Sequence, residues 1–505
     1  MSITGLEKPH ILTQGLWLPE QIREGERQAA AAMGMVMFEL MSRAGLAAFE
    51  LARREWPASR HWWVFCGGGN NGGDGYVVAR LARAAGIKVQ LVQMGDADAL
   101  TGDAAIARDH YRADGGAIER LGALQGTPDL VIDALLGTGL NGAPREVAQQ
   151  HIDVINRQHV PVLAIDVPSG LCAGTGCIPV KSVSAAATIS FVGLKSGLLT
   201  GRGPDVCGRL WLADLGIQHR LEQQPAVQLL HWHHQRNQLP VRRRGAHKGE
   251  TGRLLVAGGY QGMSGAIRLA GEAALRCGTG LVRLLSHADH VHWLNLTRPE
   301  LMTAVFPGFE QWAWADALIV GPGLGRNDWS RQLLAAALAA GKPMVIDADA
   351  LHLLKERVPA STVITPHSGE AAAMLGCTVA EIESNRLLAI QRLREQTGAV
   401  VVLKGAGTLI AGEQGLALCP YGNPGMASGG MGDLLSGIIG AFLAQGLAPE
   451  QAARLGVCLH AKAGDMAAQS GMVGMLASDL LNPIRSLINR TDDYDNNKPD
   501  SDTGR

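Results

Sequence analysis

One pattern constrains this chain more than any other, and it occurs twice. Short, wholly or largely apolar runs, most of them ending in Gly, Asp or Pro, are separated by segments of helix length. The first set is Trp62–Cys66, Val89–Met94, Leu130–Leu135, Val160–Val167, Ala187–Val192 and Arg209–Ala213. The second is Leu254–Gly258, Leu281–Leu285, Ala317–Val320, Met344–Asp347, Thr362–Thr365 and Val400–Leu403. A strand that is apolar on both sides must be covered on both faces, and strands that alternate with helices pair in parallel. The expected fold class is therefore α/β, with two parallel-sheet domains in tandem. The 505 residues allow two to four domains at roughly 150 residues each.

Composition narrows what such domains would do. Gly accounts for 65 of the 505 residues, well above the usual share of about 7%, and aromatics for only 4%, so the cores must be built from Ala, Val, Leu and Ile. The 45 Lys and Arg against 46 Asp and Glu leave a net charge of −1, which removes the global electrostatic argument for nucleic acid or an anionic membrane. No run of about 18 apolar residues is free of charge, and Met1–Gln21 lacks a basic stretch followed by an apolar one. A cytoplasmic protein with small-molecule partners is expected, with neither nucleic acid nor membrane as partner. The eight Cys form no CxxC pair, which suits scattered thiols in a reducing compartment.

Pro19 through Trp56 reads as helical, Thr378 with Glu381 reads as a capping box opening a helix through Arg394, and Ala427–Gln445 and Pro449–Gln469 read as long helices. Residues 221–246 are rich in Gln, His and Arg without a period, so they read as a linker between domains at 1–220 and 247–490. His231, His233 and His234 within it have no acidic or Cys ligand nearby, and they read as solvated rather than metal-binding. Arg242–Arg244 likewise reads as a solvated charge run. Residues 491–505 are too polar to bury anything and are expected to be a disordered tail.

The chemistry-bearing residues fall at strand ends, where doubly wound sheets place their ligands. Trp62–Cys66 runs into Gly67-Gly68-Gly69-Asn70-Asn71-Gly72-Gly73-Asp74-Gly75 and then a helix. Glycines there let a backbone approach a ligand, and N–H groups at a helix start attract phosphate. G-x-G-x-x-G recurs at Gly137, Gly139 and Gly142, so the pattern alone discriminates little. The Asn and Asp side chains could equally serve left-handed turns. Asp133 and Asp166 end two further strands, and Ser169 follows; each acid alone could be a helix cap. Together, Asn71, Asp133 and Ser169 offer hard oxygen ligands for an alkali or alkaline-earth cation, while Asp166 could act as a general acid or base.

In the second half, strand ends carry Gly321-Pro322-Gly323-Leu324-Gly325, Asp347-Ala348-Asp349, Thr365-Pro366-His367-Ser368-Gly369-Glu370 and Lys404-Gly405-Ala406-Gly407-Thr408. Asn423–Asp433 then opens a long helix, and no GxxxxGK[ST] motif occurs. Gly430 to Asp433 would put amides at a helix start beside a carboxylate. That suits a transferring phosphoryl group and an acid that takes a proton from the attacking hydroxyl, or else simply a capped helix start.

With these residues in view, the chain resembles the bifunctional NAD(P)H-hydrate repair enzymes, the YjeF family, over nearly its whole length. The first half carries NNGGDG at Asn70–Gly75, DALLGTG at Asp133–Gly139 and IDVPSG at Ile165–Gly170. The second carries HKGETGRLLVAGG at His247–Gly259, SGAIRLA at Ser264–Ala270, GPGLG, TPHSGE, KGAGT and GGMGD. Ser368 departs from the family, which usually has Pro after the His.

The resemblance implies a Rossmann-like epimerase domain followed by a ribokinase-like dehydratase domain. The substrates would be NADHX and NADPHX, in which water has added at C6 of the dihydronicotinamide ring. In the epimerase, Asn70, Asn71, Gly72, Gly73, Asp74, Gly137, Thr138, Gly139, Leu140, Asn141, Gly142, Ala143 and Asp166 would contact the hydrate, with Asp166 catalytic and Asn71, Asp133 and Ser169 binding potassium. The dehydratase would use ADP, with magnesium as its companion, to convert the S epimer, releasing AMP and phosphate. There Lys404, Gly405, Ala406, Gly407, Thr408 and Gly432 would line the nucleotide, Ala266, Gly323, His367 and Asp433 would face the hydrate, and Asp433 would be the base. A homo-oligomer is expected. Two other readings stay open on sequence: a kinase of a small alcohol with a regulatory first domain, and a pair of nucleotide-binding sensors.

Overall fold

The computed structural model describes residues 3–5, 15–140 and 142–489. They form two compact units, one of Met1–Leu229 with the short segments Val379–Leu388 and Gly405–Gly407, the other of the remainder.

The first unit is built on one sheet. Its strands are β1 (Ile3–Gly5), β2 (His61–Cys66), β3 (Lys88–Gln93), β4 (Ile118–Glu119), β5 (Leu130–Ala134), β6 (Val162–Ile165), β7 (Ala187–Phe191) and β8 (Arg209–Ala213), in the order β1-β8-β7-β6-β5-β2-β3-β4. All neighbours are parallel except β1, which runs antiparallel to β8. Along β2 successive side chains alternate between two cores. Trp62, Val64 and Cys66 join one apolar cluster, while Trp63 and Phe65 join the other. Both faces are therefore buried, as the apolar runs require.

The expected helix from Pro19 to Trp56 is two helices, α1 (Pro19–Ala32) and α2 (Met37–Glu55), bent by 114°. The break falls at Met33–Val36, where Gly34 takes a left-handed φ of 64° that a continuous helix would not allow. α3 (Asn70–Ala84), α4 (Gly102–Ala113) and α5 (Glu146–Asn156) complete this unit's longer helices.

The second unit holds β9 (Arg253–Ala257), β10 (Leu281–Ser286), β11 (Leu301–Val305), β12 (Ala317–Val320), β13 (Met344–Ile346), β14 (Thr362–Ile364), β15 (Val400–Leu403), β16 (Thr408–Gly412) and β17 (Gly415–Cys419), ordered β11-β10-β9-β12-β13-β14-β15-β16-β17. Pairing is parallel up to β15 and antiparallel beyond it. Its helices include α6 (Ser264–Arg276), α7 (Ser368–Leu375), α8 (Met431–Ala444) and α9 (Pro449–Ala467), and nearly every residue of α8 is buried. The single helix expected through Arg394 is broken at Asn385 into Val379–Ser384 and Arg386–Thr397.

The stretch expected as a linker, 221–246, is structured in part. Val227–Leu229 is a strand, and Leu230 and Trp232 are buried in the core of the second unit. His231 is not solvated either: burial, with His233 and His234 beside it, pushes its imidazole down to about 4. The apolar residues Leu229, Leu230 and Trp232 make this segment worth burying despite its polar composition. The tail expected at 491–505 lies outside the described residues. All eight Cys are free thiols, five of them buried. Among the described residues no single helix is long and apolar enough to cross a membrane.

Two candidate active sites

In the first unit the glycine loop after β2 turns directly into α3, with Gly69 as N-cap. Gly67 and Gly72 are there for close approach: a Cβ on Gly67 would lie 1.8 Å from the Leu135 carbonyl oxygen, and one on Gly72 would lie 2.0 Å from that of Gly67. The loop is thereby pinned to the end of β5. A cavity of about 910 Å³ opens beside it, at the upper end of the usual range for ligand sites. Asn70, Asn71, Asp74, Gly137, Thr138, Gly139, Leu140, Ala143 and Asp166 all line it. Gly72 and Gly73 sit instead on the packed side of α3, where a Cβ on Gly73 would meet the Met41 side chain at 2.6 Å. Gly142 does not line the cavity, and Asn141 lies outside the described residues.

Asp166 follows β6 with a left-handed φ of 64°, a strained choice for a residue with a side chain and one that clusters at functional sites. Its carboxylate is ion-paired with Lys195 and accepts 3.3 Å hydrogen bonds from Ser190 Oγ and the Phe191 amide. Lys195 is 1% exposed, and its Nζ also donates to the Phe191 carbonyl at 3.0 Å. Two further carboxyls share this field. Burial raises Glu26 to about 7, with Lys195 opposing and Asp166 adding; burial also pushes Asp74 well up, reinforced by Asp166 and Glu26. Glu26 and Lys195 are members of this cluster that sequence reading missed. A lysine inside the apolar run from Ala187 to Leu199 was the available signal.

Asp133 and Ser169 meet beneath the cavity. Ser169 donates from Oγ to Asp133 Oδ1 at 2.6 Å and from its amide to Oδ2 at 2.8 Å, and Ser169 Oγ accepts from the Leu136 amide at 2.8 Å. Both residues are fully buried, and burial outweighs these hydrogen bonds to hold the Asp133 carboxyl at about 6. Asn71 packs against Gly137, where a Cβ would lie 3.4 Å from its Oδ1, and both polar atoms of its side chain are buried without a partner among the described residues. An orphaned amide oxygen, a buried carboxylate and a hydroxyl are the donor types that fit a hard monovalent cation.

In the second unit the cluster centres on Lys404, at the end of β15. Its Nζ donates to Asp347 Oδ1 at 2.9 Å and lies 3.7 Å from Glu370 Oε2; Asp347 also accepts from Ser436 Oγ at 2.7 Å. Burial pushes the Asp347 carboxyl up, but the Lys404 ammonium and the hydrogen bonds outweigh it and hold the group below its usual range. Lys404 is shifted the opposite way: Asp347 and Glu370 outweigh burial and hold it above its usual value.

Asp433 stands in the first turn of α8, after Gly430 with its left-handed φ of 88°. Burial first, then Asp347, raise its carboxyl to about 6 against the pull of Lys404. A Cβ on Gly432 would lie 3.3 Å from Lys404 Nζ, so the helix start and the lysine adjoin. His367 caps α7, its Nδ1 accepting from the Gly369 and Glu370 amides at 3.0 and 3.2 Å, while Glu370 Oε2 accepts from the His367 amide at 2.8 Å. Ser368 occupies the first helical position, where Pro is equally accommodated, so the departure from the family motif leaves this cap in place.

Gly323 and Ala266 are neighbours, the Cβ that Gly323 lacks being 3.2 Å from that of Ala266. The Gly323 loop is tied in through Gly325, whose amide donates to Asp349 at 2.9 Å. Gly405, Ala406 and Gly407 follow Lys404, and Thr408 begins β16.

A parallel α/β sheet whose strand ends gather acids, a buried lysine and a glycine-opened helix start defines an enzyme that handles phosphorylated ligands. Comparison with known proteins identifies which. Residues 37–197 match the YjeF-related protein N-terminus and residues 254–486 match NAD(P)H-hydrate dehydratase. The chain is 46% identical over 498 residues to the bifunctional NAD(P)H-hydrate repair enzyme Nnr of Escherichia coli, covering 96% of each chain. It is 43% identical over 480 residues to Nnr of Vibrio cholerae, covering 93% of this chain and 97% of that one. It is also similar to the ADP/ATP-dependent NAD(P)H-hydrate dehydratase from Bacillus subtilis co-crystallized with ATP/Mg2+, at 30% identity and a TM-score of 0.48 over 52% of this chain and 97% of that one. The chain belongs to the bifunctional NAD(P)H-hydrate repair enzymes, with an epimerase-type first domain and a dehydratase-type second domain. The kinase alternative is not favoured.

Proposed function

We propose that this chain returns both epimers of hydrated NADH and NADPH to the reduced dinucleotide, the first unit interconverting R and S and the second dehydrating S with ADP. The observation that carries this reading is the surroundings of Asp433. Hydroxide leaves poorly and phosphate leaves well, so dehydration is eased by phosphorylating the C6 hydroxyl. Asp433, held at about 6, takes the hydroxyl proton as its oxygen attacks the terminal phosphoryl of ADP. The bond to the AMP oxygen breaks, and elimination of phosphate then yields NAD(P)H, AMP and inorganic phosphate. Amides at the α8 start and Lys404 stabilise the phosphoryl charge. Magnesium accompanies the nucleotide, in keeping with the Bacillus subtilis relative co-crystallized with ATP/Mg2+.

In the first unit Asp166 exchanges protons with the C6 oxygen, and the cavity residues named above hold the dinucleotide. Asn71, Asp133 and Ser169 would hold potassium. The ion would supply positive charge to offset the buried Asp133 carboxylate and a partner for the orphaned Asn71 amide oxygen. The test supplies purified protein with mixed R and S NADHX, ADP, magnesium and potassium, and follows dihydronicotinamide absorbance. Full recovery matched by AMP and phosphate is expected. Recovery that stops once S is consumed would refute the epimerase half, and no recovery would refute the whole.

A further inference from the structure

Inversion at C6 makes a demand that one carboxylate does not meet. The C6–O bond breaks with its electron pair leaving on oxygen, which must gain a proton to depart as water, while the ring nitrogen lone pair forms a C=N bond. Water then adds to the other face and must lose a proton. One group gives a proton, another receives one, and the roles exchange when the reaction runs backward; water leaves and water enters, so no other reactant is needed.

The cavity of the first unit contains a carboxyl placed for the second role. Glu26 lies on α1, outside the glycine motifs, and lines the cavity together with Asp74 and Asp166. Its carboxyl forms no hydrogen bond or ion pair with any described residue, whereas Asp166 is engaged by Lys195, Ser190 and the Phe191 amide. The charged groups that act on it are Lys195 and Asp166, from the ends of β7 and β6, and Asp74 from α3; Arg23 on its own helix, Asp103 from α4 and Arg145 beside α5 line the same cavity. Building on the epimerase function proposed above, we propose that Glu26 is the second catalytic acid and base of epimerisation, giving its proton to the departing C6 oxygen while Asp166 receives one from the entering water.

Asp74 is the competing candidate. Burial, reinforced by Asp166 and Glu26, pushes its carboxyl well up and so favours its protonated form; Glu26, at about 7, both gives and receives a proton at working pH.

The full-length protein is given R-NADHX alone with ADP, magnesium and potassium, so that the chain's own dehydratase drains the S epimer as it forms. Glu26→Gln should lower kcat for R by about 10²–10⁴-fold while dehydration of supplied S stays within twofold. The wild-type pH profile should show a limb near 7 that Glu26→Gln loses and that Glu26→Asp, retaining part of the rate, moves to lower pH. Thermal melting checks that the variants fold, and the Asp variant decides the matter should the Gln variant fail to. A wild-type rate in Glu26→Gln, an unmoved limb in Glu26→Asp, or a loss confined to Asp74→Asn would overturn the assignment. A wild-type chain that dehydrates S but leaves R untouched would instead refute the epimerase reading itself.

Discussion

Replacing Asp433 with Asn should move stability and activity in opposite directions. A carboxyl held at about 6 rather than 3.8 costs the folded state about 3 kcal/mol whenever it is ionised. The group sits in the first turn of α8, where the helix dipole favours a carboxylate by roughly 0.3–1 kcal/mol, and the amide forfeits that share. The net expectation is a gain of about 2 kcal/mol, or roughly 4–8 °C in the melting of a unit of this size. The sign follows from the raised value. Above pH 6 both folded and unfolded chains carry the charge, so the cost, and the gain on removing it, are complete. Between 6 and about 4 the folded group takes up its proton first and the gain shrinks; below that it is gone. Dehydration of S-NADHX should meanwhile fall by about 10²–10⁴-fold, since Asn accepts no proton. Calorimetry of the nucleotide-free protein at pH 7.5 and pH 4, beside the ADP-dependent rate, makes the check. A variant that melts lower than wild type, or whose gain is the same at both pH values, would refute the electrostatic argument; retained dehydration would refute the role.

Asp166→Asn should abolish epimerisation and leave dehydration of the S epimer intact, read from the two epimers supplied separately. Lys404→Met leaves the Asp347 carboxylate 1% exposed without its cation, and should destabilise the second unit by about 3–5 kcal/mol in urea titration while the first unit's transition stays put. Exchanging potassium for choline should slow epimerisation only, and added KCl should raise the melting temperature of the first unit in the wild type but not in Asp133→Asn.

Parallel sheets with both faces covered show through the sequence because each central strand must be apolar throughout, as His61–Cys66 and Val400–Leu403 are from their second residue or their first. Other strands went unread. Leu301–Val305 stands at a sheet edge with Val305 exposed, and Thr408–Gly412 with Gly415–Cys419 is a buried antiparallel hairpin whose short apolar runs are interrupted by glycines. The site divides the same way. Asp133, Asp166 and Asp433 announce themselves because strand ends and helix starts concentrate function, and the structure does bring Asp133 to Ser169. Glu26 follows Glu20 and Glu24 on an amphipathic helix, where nothing local separates a cavity carboxyl from two surface ones. Only the approach of Asp166 and Lys195, well over a hundred residues away in sequence, gives it meaning.

The two units reach the same electrostatic arrangement from unrelated segments. Each buries a lysine, Lys195 or Lys404, against one carboxylate, Asp166 or Asp347, and places further carboxyls within the field of that pair. In each, burial first and an acidic neighbour second raise one further carboxyl while the lysine opposes them, and the group is left near neutrality: Glu26 at about 7 and Asp433 at about 6. A carboxyl so poised gives and takes protons at physiological pH, which an ordinary surface Asp or Glu does not. On the mechanisms proposed above, both halves of the repair act on the same C6 hydroxyl, one replacing it and the other removing it, and in both the first requirement is proton transfer at that oxygen. The shared requirement accounts for the shared device, and it makes the lysines as necessary as the acids. Without Lys195 or Lys404 the paired carboxylate would compete for the proton, and the poised group would rise out of its working range.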